Sequence, residues 1–248
     1  MYRYKPDIGP CFINEITEKQ MMELVDSPFV LILAPMFGSK SSLLIKLNHL
    51  AKKNGRQTLE FTSSIDTRYG KNVIASHNDL PPIRAIPLSA NIDSHKVLSK
   101  KLDAIPNKSH TIFFDETQFI CQEDPKLLRQ KFSEMLENGH SVVSVNLAHL
   151  FNRERWPVSL ELLELASSVE GSKIVEMFAK CDSCGGPATC TVRFVNGKPA
   201  NYDDPPVIIG AKEAYKATCD DHFECSGFDK GRKKYVEFMK SQGKIGLL

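Results

Sequence analysis

The chain has 248 residues, enough for one substantial core or for a core with a small module attached. A formal net charge of +2 calls for no polyanion, so electrostatics require no nucleic-acid partner. No run of about 18 uncharged apolar residues occurs and the first twelve residues lack the apolar stretch of an export signal, so the expectation is a cytoplasmic chain with no membrane partner.

Residues 1–27 mix charged and apolar positions, with Pro6, Gly9 and Pro10 breaking the start and room for a short helix from Glu15 to Val25. They read as an N-terminal extension without chemistry. Phe29–Leu33 is an apolar run of the length of a fully buried strand. It leads through a small-residue turn (Ala34, Pro35, Met36, Phe37, Gly38, Ser39) into Lys40 and Ser41, where a helix with Leu43, Leu44, Leu47, Leu50 and Ala51 on one face begins. Strand, tight turn, Lys-Ser and helix outline a phosphate-binding loop, in which backbone N–H groups cradle phosphates while Lys and Ser meet the terminal phosphates and Mg2+. The motif G-x-x-x-x-G-K-[ST] wants Gly where this chain has Ala34 and Ser39, and a glycine stands one place early, at Gly38.

Asn54-Gly55 stops the helix, and Arg56–Thr62 reads as a second strand, which predicts a βαβ unit and a parallel sheet flanked by helices. Asp66 and Arg68 lie in DTRYG just past that strand, on the side where open α/β sheets place ligands. Thr111–Phe114 is another apolar run, ending in Asp115 and Glu116. Two carboxylates at the end of a buried strand need water, a metal or a partner, and in a nucleotide-binding fold one helps to hold Mg2+ while a second can act as base. Asp124-Pro125 opens a helix that Asn138-Gly139 ends, Ser141–Leu147 is a strand, FNRERW (Phe151–Trp156) is an aromatic loop, and Ser159–Ser168 is a short helix.

Seven cysteines form an odd set, with four gathered between Cys181 and Cys219, which favours reduced thiols and a metal site over disulfides. Cys181-x-x-Cys184 and Cys219-x-x-His222 are two close ligand pairs, as tetrahedral structural Zn2+ requires, with Cys225 as a second choice for the fourth ligand. The organisation expected is an extension (1–27), a nucleotide-binding domain (28–172), a zinc-binding domain (173–225) and a basic tail (226–248) that is a solvated helix or a loose end.

The ordered series APMFGSKSS, DTRYG, Ser76-His77, DETQF, FNRERW, CDSC, VIIGAKEAY and CDDH resembles the type II thymidine kinase family over residues 28–222. The resemblance implies transfer of the ATP γ-phosphate to the 5′-hydroxyl of thymidine or deoxyuridine with Mg2+, in pyrimidine salvage, by a homotetramer. It implies a P-loop parallel sheet followed by a small zinc domain whose lasso-like loop covers the base. By position, Ala34–Ser41, Asp66, Asp115 and Gln118 would form the ATP and Mg2+ site, with Lys40 on the β/γ phosphates and Ser41 and Asp115 on the metal. Glu116 would be the general base and Arg68 would stabilise the transferring group. Phe119, Phe151, Ile208, Ile209, Gly210 and Tyr215 would surround the nucleoside, and Cys181, Cys184, Cys219 and His222 would hold zinc.

Three departures stand out. The family's S-G-K is Gly38-Ser39-Lys40, putting a side chain where the turn calls for φ > 0. The family's Leu-Asp-Gly is Leu147-Ala148-His149, and the Arg that usually follows the third zinc ligand is Asp220. The alternative reading is therefore a catalytically impaired relative acting as a binding or regulatory partner.

Overall fold

The computed structural model describes residues 5–65, 72–76, 80–105, 109–206 and 213–248. Its centre is β2 (Phe29–Ala34), every residue of which is buried. The alternation of a strand decides its two faces. Phe29, Leu31 and Leu33 pack on one side and Val30, Ile32 and Ala34 on the other, each against a separate apolar cluster. Burial of each large aliphatic side chain contributes about 1.5–3 kcal/mol, so this strand anchors both layers.

Preceding it are β1 (Ile8–Cys11) and α1 (Glu18–Asp26). After it come α2 (Lys40–Lys53), β3 (Gln57–Ser63), the short β4 (Val73–Ile74), β5 (Ile83–Arg84) and β6 (Ile86–Leu88), and α3 (Ser94–Asp103). Then follow β7 (His110–Asp115), α4 (Pro125–Glu137), β8 (Ser141–Leu147), α5 (Pro157–Ser168) and β9 (Lys173–Met177). The central sheet has seven strands in the order β1-β9-β2-β8-β7-β3-β6, all parallel. Residues of α1 and α2 (Leu24, Val25, Leu43, Leu47) cover one face. Residues of α3, α4 and α5 (Leu98, Leu128, Phe132, Leu162) cover the other. The expected parallel sheet flanked by helices is therefore present, and the ends of β2, β7 and β8 open on the same edge. Among the described residues no helix is long and apolar enough to cross a membrane.

Two readings of the termini are corrected. The described part of the N-terminal segment is no appendage, because β1 pairs with β9 as an edge strand. Its helix α1 is closed by a capping box between Thr17 and Gln20 and buries Leu24 and Val25. IGPC looked like a break because Pro and Gly interrupt ladders, yet an edge strand tolerates both. The boundary drawn at residue 173 also moves, because β9 lies inside the central sheet.

Beyond it are the hairpin β10 (Ala179–Lys180) and β11 (Pro187–Ala188) and the antiparallel strands β12 (Cys190–Val195), β13 (Lys198–Pro199) and β14 (Glu213–Thr218), in the order β13-β12-β14. The tail forms α6 (Phe228–Ser241), which buries Gly231, Tyr235 and Met239 rather than standing free in solvent.

Candidate active site

The turn after β2 is tight. Gly38 N–H donates to Pro35 O at 3.3 Å, and a Cβ on Gly38 would lie 2.7 Å from Ala34 Cβ and 3.1 Å from Pro35 O. Position 38 thus needs glycine for space, whereas the left-handed conformation falls on Phe37 (φ 64°) and Ser39 (φ 58°). Left-handed residues other than glycine cost of order 1–3 kcal/mol each and concentrate at ligand clamps. Ser39 directly precedes α2 and makes no side-chain capping bond, so the first N–H groups of the helix are left for a ligand. Lys40 is buried and folds back over the turn, its Nζ donating to Pro35 O at 3.3 Å.

Ser41 Oγ stands 3.1 Å from both carboxylate oxygens of Asp115, the last residue of β7. Burial, then the charge of Glu116, pushes the Asp115 carboxyl up to about 7 against the pull of Lys40 and the Ser41 hydroxyl. The cis edge of an octahedron with Mg–O bonds of 2.0–2.1 Å is about 2.9 Å, so this oxygen pair is close to the span that a magnesium ion needs. Glu116 follows in the left-handed region (φ 50°) and is gripped by Gln118, whose Nε2 donates to Glu116 Oε2. Gln118 Oε1 in turn accepts Leu147 N–H at 3.0 Å, tying the end of β7 to the end of β8. A catalytic carboxylate would be held in this way, by a partner fixed to the backbone of the next strand.

Beside these groups Leu147, Leu150 and Trp156 form a small apolar cluster with Met36 and Phe119. Phe119 and Trp156 meet edge to face at 5.2 Å. Phe151 is buried under Arg193, whose guanidinium carbon is 3.8 Å from the ring centroid. Arg193 lies on β12 opposite Tyr215 of β14 and donates to Pro205 O at 2.7 Å. Met36 N–H donates to Thr191 Oγ1 at 2.9 Å, so the turn after β2 is joined to the smaller unit.

The edge thus gathers the turn residues Ala34–Ser41 with Asp115, Glu116, Gln118, Phe119 and, across the sheet end, Phe151. Asp66, Arg68, Ile208, Ile209 and Gly210 lie outside the described residues. Thr191, Arg193 and Trp156 had not been assigned a place in the site. Thr191 and Arg193 share one face of a strand by the i, i+2 rule, a signal available in sequence, but nothing local distinguishes an arginine that will be wholly buried.

The Cys181, Cys184, Cys219 and His222 ligand atoms lie within 4.8 Å of one another. The Sγ atoms of Cys184 and Cys219 are 3.9 Å apart, and Nδ1 of His222 is 3.8 Å from Cys181 Sγ and 3.1 Å from Cys219 Sγ. A tetrahedral Zn2+ with bonds of about 2.3 Å has edges near 3.8 Å, so the donor set and its span fit zinc. The backbone N–H of Cys219, with those of Cys184 and Ser183, brings the Cys181 thiol down to about 6 despite some desolvation, toward the thiolate that a metal takes. Cys225 is not part of the cluster; burial raises its thiol to about 11.

A parallel sheet with a lysine-bearing turn before a helix, an acidic strand end across from it and a Cys3His cluster in a small β unit define a mixed α/β protein with a zinc-type module. The thymidine kinase family profile matches residues 28–223. A thymidine kinase from Coprothermobacter proteolyticus is 31% identical over 208 residues, covering 83% of this chain and 96% of that protein. The chain belongs to the thymidine kinase family.

Proposed function

We propose that the protein transfers the γ-phosphate of ATP to the 5′-hydroxyl of thymidine or deoxyuridine, as a homotetrameric cytoplasmic enzyme of pyrimidine salvage. The observation that carries this reading is the joint Ser41–Asp115–Glu116–Gln118 arrangement, facing the Lys40 turn on one side and the aromatic cluster on the other. Backbone N–H groups of the turn and the start of α2 hold the phosphates, with Lys40 swinging from Pro35 O to the β/γ oxygens. Ser41 and Asp115 would hold Mg2+, which would supply neutralisation of phosphate charge. Glu116, oriented by Gln118, takes the proton of the 5′-hydroxyl, and Arg68 with Asp66 beside it meets charge on the transferring group. The nucleoside lies against Phe119, Phe151 and Tyr215, and the family resemblance assigns its base to Ile208, Ile209 and Gly210 as well. Zn2+ at Cys181, Cys184, Cys219 and His222 is structural.

A second reading, an impaired relative with a binding or regulatory role, is favoured by the non-glycine Ser39 at φ 58° and by Ala148 where the family has a carboxylate. Thymidine-dependent ADP release from zinc-loaded protein separates the two. Turnover that needs Mg2+ and falls by about 100-fold or more in Glu116→Gln supports the kinase, and folded protein with no turnover supports the second reading.

A further inference from the structure

The loop from Ala148 to Trp156 carries Phe151 and Trp156, and its internal hydrogen bonds include Leu150 N–H to Glu154 O, Arg153 N–H to Leu150 O, Glu154 N–H to Asn152 Oδ1 and Arg155 Nη1 to Ala148 O. Inside the span of the family profile it is held by Ala34 O, Asp220 and the Arg193 guanidinium over Phe151, and further support comes from the C-terminal segment beyond that span. Arg155 N–H donates to Tyr235 Oη at 3.0 Å, Arg155 Nε donates to Leu247 O at 3.0 Å, and Arg232 Nη1 donates to Arg153 O at 2.9 Å. Asn152 Nδ2 donates to Tyr202 O at 3.0 Å, and the Tyr202 ring lies so flat on α6 that a Cβ at Gly231 would come within 2.1 Å of Cδ1. The loop also begins where this chain lacks the family's carboxylate. Arg155 Nη1 donates to Ala148 O instead, and His149 stays neutral through burial and the nearby charges of Arg155, Arg232 and Arg153.

We propose that Gly227–Leu248 is a brace for the nucleoside-side loop. Tyr235, Arg232 and Gly231 are positioning residues that fix Phe151 and Trp156 toward the nucleoside. This rests on the reading under Proposed function for what the loop faces. None of the three touches the nucleotide turn, so the brace acts on nucleoside binding and leaves ATP binding alone. Glycine is a poor helix former, and its place in α6 is explained by contact with Tyr202 rather than by the helix itself.

Trp156 is the sole tryptophan of the chain, so its fluorescence reports on the loop whether or not the protein turns over. Tyr235→Phe removes one hydrogen bond with little change of volume, and Gly231→Ala improves helix propensity while wedging α6 off Tyr202. Both variants are expected to make Trp156 more accessible to acrylamide and to raise thymidine KM by about three- to tenfold, the worth of one good hydrogen bond, with ATP KM held within about twofold. Phe238→Ser, at an exposed position of the same helix, should leave all three unchanged.

Unaltered thymidine KM in both variants overturns the brace, whatever Trp156 does, and so does a parallel rise of both KM values. If the wild-type protein does not turn over, the proposed function fails separately and thymidine Kd by calorimetry replaces KM. The same shift in Kd then supports the brace, and an unchanged Kd or no thymidine binding overturns it.

Discussion

Ser41 lies in the first turn of α2 and Asp115 closes β7, and the serine hydroxyl stands 3.1 Å from each oxygen of the carboxylate. Burial first, then Glu116, lifts that carboxyl to about 7. A folded-state value above the unfolded one means that the folded protein holds the proton more tightly. This contribution to stability is complete below about pH 4 and is lost as pH rises through about 7, a span of a few kcal/mol. Under the proposed function, magnesium nucleotide has the opposite demand, since it would need the charged carboxylate. The metal-free protein should therefore melt at lower temperature near about pH 8 than near about pH 5, and Asp115→Asn should flatten that slope. The gain in Tm from Mg-ATP should be larger near about pH 8 than near about pH 6. A gain independent of pH would count against Asp115 as the metal's anchor.

Ser39 and Gly38 divide a task that one glycine would otherwise perform. Ser39 carries the left-handed conformation and Gly38 supplies room against Ala34 Cβ. Ser39→Gly should relieve the backbone cost and change folding stability by no more than about 1 kcal/mol in the favourable direction, while tightening ATP. Gly38→Ser should cost about 1–3 kcal/mol through overpacking and weaken ATP. Restoring the family's order by exchanging both residues at once would mix these effects, so the single variants, measured by thermal melting and nucleotide titration, are the informative pair. ATP affinity unmoved by Ser39→Gly would remove Ser39 as the reason for impaired binding.

These positions also show what could be read from the chain. Strand β2, the start of α4 at Asp124-Pro125 and the pairs Cys181/Cys184 and Cys219/His222 were legible because each depends on local rules of burial, capping or ligand spacing. So was the demand for φ > 0 at Ser39, since a tight turn before a helix has few backbone solutions. The edge strand β1 was not legible, because its pairing with β9 lies more than 160 residues away and its own sequence contains breakers. The docking of α6 was hidden for a similar reason. Lys230, Arg232, Lys233 and Lys234 make the segment look solvated, while the contacts that hold it, Tyr235 to Arg155 and Gly231 to Tyr202, are tertiary. Gln118 is intermediate. The motif marked its position, but its grip on both Glu116 and Leu147 needed the sheet order that puts β7 beside β8.

The small unit has little core of its own. Its cluster of fully buried apolar residues is Ala179, Cys181, Ala188 and Ala217, with Cys219 packed against it. So little apolar area cannot offset the ordering of its strands, and small units of this kind depend on a metal. Zinc removal by a chelator, or Cys219→Ser, should open residues 178–225 to limited proteolysis while the central sheet keeps its far-UV signature. Because Met36 N–H relies on Thr191 Oγ1 of that unit, the same treatment should also weaken nucleotide binding. A zinc-free protein that resists protease as the loaded one does would show that the cluster is not structural.

Among the described residues Arg193 is the largest fully buried side chain. Its guanidinium stacks at 3.8 Å over Phe151, donates to Pro205 O at 2.7 Å and Pro206 O at 3.4 Å, and pairs with Asp204 at 3.6 Å. Four tasks fall on one planar group, and a lysine ammonium lacks the flat face that stacks on Phe151 while its proline and Asp204 partners are met. Arg193→Lys should therefore cost about 2–4 kcal/mol of stability and raise thymidine KM more than ATP KM, because the contact given up is with Phe151. Arg193→Met isolates the charge. It keeps an apolar contact over the ring but leaves the two proline carbonyls without their donor, so stability should fall by a smaller amount, about 1–3 kcal/mol. Denaturant midpoints and the two KM values distinguish the cases. If lysine is tolerated as well as arginine, the stacking over Phe151 contributes nothing, and the aromatic ring is held by its neighbours alone.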